Sequence, residues 1–434
     1  MEAIAIILFI SVFILILYGY KVAFTLGGLS MLYAICFVEP SALSALPSRV
    51  FGNIMQQYIL LAVPLFIFMG IMLEKSGLAD ELLETMGILL GRLRGGLAVS
   101  VIVVGTLLAA STGIVGATVI TMGLISLPTM LRRGYRPELA TGVIAASGTL
   151  GQIIPPSIVL VLLSSVLNVP AGDLFASAIV PGIILVVGYI LYVVIVATLK
   201  PEWAPPYTAK EMKNFRSENF IKKVIWAFVL PLSLIVLVLG AIFTGKATPT
   251  EAAGIGAMGA TILTVSQGKF KLHILKSVMR ETTHLTSMVF MILLGATTFT
   301  FIFRELGGDR YLTELIVSSN LSPTMFLILV MFVVFIAGFF IDFIEIIFII
   351  VPVVYPIFKE LGVDMLWLGI LLALNLQTSF LTPPFGFSLF YLKGVSPPEV
   401  KTIHLYRGII PFLIIQLLVL LLIVFFPEVI GVGK

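Results

Sequence analysis

The sequence predicts an all-α polytopic membrane protein built from two inverted repeats, with about ten transmembrane spans and two re-entrant hairpins. Three observations carry that prediction. Apolar residues fill 59% of the 434 positions and charged residues 11%, against about 45–50% and 25% in an ordinary soluble domain. No aqueous fold buries such an excess, so the bilayer is the solvent. Two tandem prolines, Pro155-Pro156 and Pro383-Pro384, sit inside apolar stretches 228 residues apart. At the same offset Pro128 meets Pro356, Gly134 meets Gly362, Ser147 meets Asn375 and Pro170 meets Pro398. Lastly, the basic residues divide unequally between the two sides of the spans. Broken membrane helices repeated in two halves imply a secondary transporter.

Spans of about 20 apolar residues are the unit expected. In the first half, 1–199, they fall at 3–20, 22–38, 53–73, 138–169 and 174–199. In the second half, 224–434, they fall at 224–245, 250–267, 283–303, 365–392 and 408–426. The stretches 3–73 and 224–303 read as scaffold, and 200–223 as the cytoplasmic seam between halves. The opening run carries Glu2 where a signal peptide has basic residues, so it reads as a retained span. If residue 1 is outside, one side receives 20 of the 26 Lys and Arg. Arg49, Lys246, Arg304, Arg310, Lys359 and Lys434 are left for the other. The positive-inside rule makes the richer side cytoplasmic, with both termini periplasmic and the halves entering from opposite sides. A net charge of +4 needs no nucleic-acid partner to explain it. The single Cys36 excludes an internal disulfide, and His273, His284 and His404 are scattered without metal-ligand spacing.

The stretch 95–131 has a polar centre at Ser111-Thr112-Gly113. Two arms of about 15 residues give roughly 22 Å each, short of about 30 Å of hydrocarbon. A hairpin entering from the cytoplasm fits better than two tilted spans, which remain the alternative. Its counterpart, 323–358, carries Asp342 and Glu345 at its centre. Acids at membrane depth default to function. They could bind a cation, carry protons, pair with a basic residue of a partner, or simply reach the wet interface.

The broken helices come next. In 138–169 the prolines follow Ser147-Gly148-Thr149 and Gly151-Gln152; in 365–392 they follow Asn375, Gln377, Thr378 and Ser379. Tandem prolines remove two backbone donors. Freed carbonyls at membrane depth are tolerable where they line a cavity. Hydroxyl, amide and carbonyl oxygens there suit a hard monovalent cation, and half-helix N-termini suit a carboxylate. The candidate substrate cavity is therefore Gly151, Gln152, Pro155, Pro156, Glu345, Ser379, Pro383 and Pro384. Proline kinks satisfied by neighbours are the plainer alternative. No catalytic triad, metal motif or phosphate loop is present, so an enzyme is not expected.

The runs STGIVGATVITMGLISLPTMLRRGY (111–135), ASGTLGQIIPPS (146–157) and ALNLQTSFLTPPFG (373–386) resemble the large membrane subunit of tripartite ATP-independent periplasmic (TRAP) transporters. The resemblance covers nearly the whole chain. It implies an elevator-type carrier in a bacterial inner membrane, coupled to sodium, in which both hairpins move with the broken helices. It implies two partners, a small four-helix membrane subunit and a periplasmic binding protein delivering an organic anion; with no extra spans ahead of residue 3, the small subunit is expected on a separate chain. Mono- or dicarboxylates, 2-oxo acids and hydroxy acids are the expected cargo. It also implies one sodium site pairing Ser111, Thr112 and Gly113 with Ser147, Gly148 and Thr149. The other pairs Asp342 with Asn375, Gln377 and Thr378. A stand-alone sodium–dicarboxylate symporter or anion carrier of the same architecture is the alternative.

Overall fold

The computed structural model describes residues 2–206, 224–318 and 321–432, and all regular structure among them is helical. The first half runs α1 (Glu2–Leu17), α2 (Val22–Phe37), the short α3 (Pro40–Leu43) and α4 (Leu46–Val50), α5 (Ala62–Lys75) and α6 (Leu78–Leu89). It continues with α7 (Gly96–Thr112), α8 (Val115–Arg132), α9 (Pro137–Thr149), α10 (Ile158–Leu167) and α11 (Ala171–Leu199). The second half runs α12 (Leu230–Phe243), α13 (Pro249–Ser266), α14 (Leu272–Glu305), α15 (Gly308–Ser318) and α16 (Pro323–Ala337). It ends with α17 (Phe343–Glu360), α18 (Met365–Leu381), α19 (Phe387–Val395) and α20 (Thr402–Phe425).

Helix boundaries recur at the proline offset. Moved by 228 residues, α8 coincides with α17, α1 begins where α12 begins, and α2 falls on α13 within a residue at each end. The largest departure lies between α4 and α5. Where the second half has the unbroken 34-residue α14, the first has α4, a π turn at Phe51–Met55, a 3-10 turn at Tyr58–Leu61 and then α5. The span read at 53–73 is thus interrupted at Gln56-Gln57.

Six helical segments are long and apolar enough to cross a membrane: Tyr58–Lys75, Val115–Arg132, Ala171–Leu199, Ile225–Phe243, Leu272–Glu305 and Thr402–Phe425. Six apolar helices are shorter, among them α1, α2 and the two arms α7 and α16. The arms of the first hairpin exceed the expected length: α7 has 17 residues and α8 has 18, about 27 Å for the latter. Arm length alone therefore does not separate a hairpin from two spans. What the hairpin reading keeps is its buried tip, where Ser111 and Thr112 are 3% and 2% exposed.

The helices pack as two groups. In one, α2 and α5 lie on α14, and α13 lies on α5 and α12. Side chains such as Ile7, Phe24, Ile35, Met258 and Ile262 stay exposed there, as they can where lipid rather than water is the neighbour. In the other, α7 and α8 pack on α9, α16 on α18, and α20 on α9 and α18. Two glycines set the α9–α20 crossing: a Cβ at Gly142 would lie 2.2 Å from the Gly408 carbonyl oxygen, so only bare backbone fits. The halves interlock, because α10 packs on α17 and α19 on α8.

Most of the seam expected at 200–223 lies outside the described residues, as does Lys434. Its first turn, Pro201–Trp203, folds back onto the mouth of the first hairpin. Gly95 N–H donates to Ala204 O at 3.1 Å and Arg136 N–H to Trp203 O at 3.0 Å. The Trp203 ring is flanked by the Arg136 guanidinium at 4.0 Å and the Lys200 ammonium at 4.2 Å.

Candidate functional site

A proline deprives of its donor the carbonyl four residues earlier. Pro156 therefore strands Gln152 O, and Pro384 strands Phe380 O. In both halves a serine just beyond the prolines takes up that carbonyl: Ser157 Oγ donates to Gln152 O at 2.7 Å and Ser388 Oγ to Phe380 O at 2.9 Å. Both serines are fully buried. Both proline pairs are joined by cis peptide bonds. The two breaks are thus built alike from the bottom up.

The same rule corrects where unwinding begins. Helix α9 runs on through Ser147, Gly148 and Thr149 and passes into a 3-10 turn at Leu150–Gln152. Helix α18 runs unbroken through Asn375, Gln377, Thr378 and Ser379 to Leu381. The non-helical backbone is confined to the residues next to Pro155-Pro156 and Pro383-Pro384. The polar residues before the prolines therefore present side chains from a helix end, not loose carbonyls.

Each helix end meets its own hairpin. Ser147 stands beside Gly105 of α7, where a Cβ would lie 2.5 Å from Ser147 Oγ. Its counterpart at the 228 offset, Asn375, donates from Nδ2 to Met331 O of α16 at 2.7 Å. Nearer the first tip, a Cβ at Gly151 would lie 2.2 Å from Ala109 O, and one at Gly113 would lie 2.8 Å from Ile158. The tip Ser111-Thr112-Gly113 is thus level with the 3-10 turn and the start of α10, while Ser147 lies lower along α7. Gly148 abuts Val119 of α8. In the second half a Cβ at Gly338 would lie 2.1 Å from Ser379 Oγ, and the Phe343 and Phe380 rings are 6.1 Å apart. The 3-10 turn at 150–152 in turn touches α18, so the two sites abut at the centre.

Most of the hydroxyls there are committed to their own helices. Ser111 Oγ donates to Leu108 O at 2.8 Å, Ser147 Oγ to Ile144 O at 3.2 Å and Thr149 Oγ1 to Ala146 O at 2.9 Å. Thr378 Oγ1 donates to Leu374 O at 2.7 Å and Ser379 Oγ to Leu376 O at 2.8 Å. The Thr112 and Thr118 hydroxyls bond each other at 2.8 Å. Each such oxygen spends its proton and keeps lone pairs, the state in which it can ligate a cation. The exceptions are two glutamines. Gln152 and Gln377 are both fully buried, and neither amide atom of either has a hydrogen-bond partner. A buried amide left unpaired costs about 1–3 kcal/mol, so an ordered water, ion or anion bound at either amide recovers that cost.

Asp342 and Glu345 have a structural occupation besides charge, and their i, i+3 spacing is its sequence signal. Asp342 is the N-cap of α17: its Oδ1 accepts from Phe343 N–H at 2.7 Å, while Asp342 N–H donates to Glu345 Oε2 at 3.1 Å. The acids therefore sit at the turn between the arms. Because Asn caps about as well as Asp, Asp342→Asn separates cap from charge. The expected result is a melting temperature close to wild type with impaired uptake, read by thermal unfolding and transport on one preparation. Unimpaired uptake would reduce Asp342 to a cap.

The family described as "Tripartite ATP-independent periplasmic transporter, DctM component" matches residues 9–429. The chain is 33% identical to the C4-dicarboxylate TRAP transporter large permease protein DctM of Pseudomonas aeruginosa, over 93% of this chain and 92% of that protein. It is 26% identical to the sialic acid TRAP transporter large permease protein SiaM of Vibrio cholerae, over 94% and 93%. Among solved structures it resembles the Alcanivorax borkumensis YdaH transporter, with a TM-score of 0.63 at 15% identity and 91% of each chain covered. That last likeness speaks to fold.

Proposed function

The chain belongs to the DctM component family of tripartite ATP-independent periplasmic transporters, and on that footing we propose that it is the permease of a sodium-coupled importer of organic acid anions. It is an integral membrane protein, and its relatives are transporter permeases rather than enzymes. We place it in a bacterial inner membrane with both termini periplasmic, as two inverted halves, beside a small membrane subunit and a periplasmic binding protein. The recurrence of helix ends at one offset and the one-sided Lys and Arg support that arrangement.

The observation that carries the reading is the pair of unpartnered glutamine amides at the abutting breaks. Neutral oxygens predominate at both tips, and the second adds two carboxylates, Asp342 and Glu345, joined in one capping box. Such a set suits sodium, a hard cation content with hydroxyl, amide and carbonyl oxygens. Sodium here is cargo. Held at a tip, it locks hairpin to helix end and neutralises local negative potential, so an organic anion can enter the same interior at lower electrostatic cost. The amide N–H groups of Gln152 and Gln377 are donors suited to that anion. Relatives named for a C4-dicarboxylate and for sialic acid differ widely in cargo, so charge rather than size is the property that we assign here.

Reconstituted with its small subunit and binding protein, the chain is expected to accumulate anion only under an inward sodium gradient. The check is labelled-anion uptake into proteoliposomes with sodium, potassium or protons as the imposed gradient. Equal rates in sodium-free buffer would remove sodium from the mechanism.

A further inference from the structure

Away from the two breaks lies a second polar cavity, of about 260 Å³, between α14, α10 and α17. Its polar wall includes Arg304, Thr297, Asn53, Gln57, Asn168 and Tyr355, and no carboxylate lines it. Arg304 is exposed and makes no ion pair among the described residues. Asn53 and Gln57 come from the interruption between α4 and α5, the stretch in which the halves differ. Asn168 closes α10 with φ 52, the one left-handed non-glycine among the described residues. Asparagine tolerates that conformation, and unlike glycine it brings an amide to the cavity.

The repeat does not impose this polarity. At the positions 228 residues earlier, Met69, Met72 and Ser76 stand for Thr297, Thr300 and Arg304, and Leu127 stands for Tyr355. Glu281, at the offset from Asn53, is occupied by Lys75 at 2.7 Å. A cation ringed by neutral donors therefore occurs in one half only, and something other than the fold accounts for it.

We propose that this cavity is a binding site for a small organic carboxylate. The planar Arg304 guanidinium matches a carboxylate with two parallel N–H bonds, a geometry that ammonium lacks. The amides of Asn53, Gln57 and Asn168 and the Tyr355 hydroxyl meet remaining oxygens without adding charge. A volume below the usual range of about 300–1,000 Å³ selects a small ligand. On the orientation given by the Lys and Arg residues, Arg304 lies at the outer end, so the site holds an anion before it reaches the breaks. The proposal rests on the import reading for that direction alone, since binding needs neither sodium nor motion.

The test uses full-length purified protein, phenylglyoxal as the arginine reagent, and mass spectrometry of the Arg304 peptide. Succinate, pyruvate, neutral succinamide and sulfate are the probes. A carboxylate at ten times its Kd is expected to slow Arg304 modification about tenfold by mass action. Succinamide leaves it unchanged, and Arg92 and Arg94, exposed in the turn between α6 and α7, react alike throughout. In Gln57→Leu, Arg304 still reacts but protection weakens severalfold. No protection by either carboxylate at tens of millimolar, or equal protection by sulfate, overturns the assignment. No sodium gradient enters the assay, so this result and the uptake result stand or fall separately.

Discussion

Replacing Gln152 and Gln377 by leucine is expected to stop uptake while leaving the protein as stable as wild type or more so. The two effects point in opposite directions for one physical reason. Each amide is buried with no partner for its oxygen or nitrogen, so the empty transporter carries a desolvation penalty of about 1–3 kcal/mol per side chain. Leucine of similar volume removes that penalty and adds apolar contact, so thermal unfolding in detergent should shift upward or not at all. During transport the same amides are the groups with free bonding capacity, and losing one costs the loaded state a similar energy, about ten- to a hundredfold in uptake. Single and double variants, assayed by thermal unfolding and by uptake on the same preparations, check both halves. A stability loss would show that the amides have internal partners. Wild-type uptake in the double variant would make the breaks structural kinks.

The second large effect concerns motion. Helices α1 and α16 face each other across an apolar cavity of about 360 Å³ that includes Phe13 and Ile336. One belongs to the proposed scaffold and the other to the second hairpin. If hairpins and broken helices travel together past the scaffold, the packing across this seam must rearrange between discrete states. Cysteines at Phe13 and Ile336, joined by a short bismaleimide after Cys36→Ser, are expected to abolish uptake. The comparison pair is Lys75 and Glu281, ion-paired at 2.7 Å between α5 and α14, both on the scaffold. Linking those two should leave at least about half of the uptake, because fixed packing is not what moves. Loss of uptake with the second pair as well would end the elevator reading.

Much of this molecule was legible in its sequence because proline and offset leave marks that tertiary context does not erase. The tandem prolines located both breaks, and the 228-residue recurrence anticipated helix ends such as those of α8 and α17. What the sequence hid has physical causes. A proline's effect lands on the carbonyl four residues upstream, so Asn375 to Ser379 stay helical although the apolar run with its hydroxyls reads as unwound. The hydroxyls that rescue those carbonyls, Ser157 and Ser388, sit at unequal distances from their prolines, which disguised their common task. Asp342 as an N-cap did leave a local mark, because Asp342-Phe343-Ile344-Glu345 has capping-box spacing ahead of an apolar run, but reading both acids as charges at membrane depth passed over it. Gln152 and Gln377 were visible as polar residues at depth, but only packing reveals that every atom of both amides is unpaired. The cavity beside Arg304 joins residues from Asn53 to Tyr355, far apart in the chain and with no shared motif.

The central claim is that each half holds sodium where its hairpin tip meets its helix end. Equilibrium binding of radioactive sodium to the purified chain tests it without any partner or gradient. Thr112→Val removes a hydroxyl from the first tip, and Thr118 keeps its bond to Ile114 O at 3.1 Å; Gln377→Leu removes the free amide of the second. Wild type is expected to bind sodium saturably, each single variant to lose part of that binding, and the combined variant to lose both sites. Saturable binding that the double variant leaves unchanged, or no saturable binding in wild type, would contradict it.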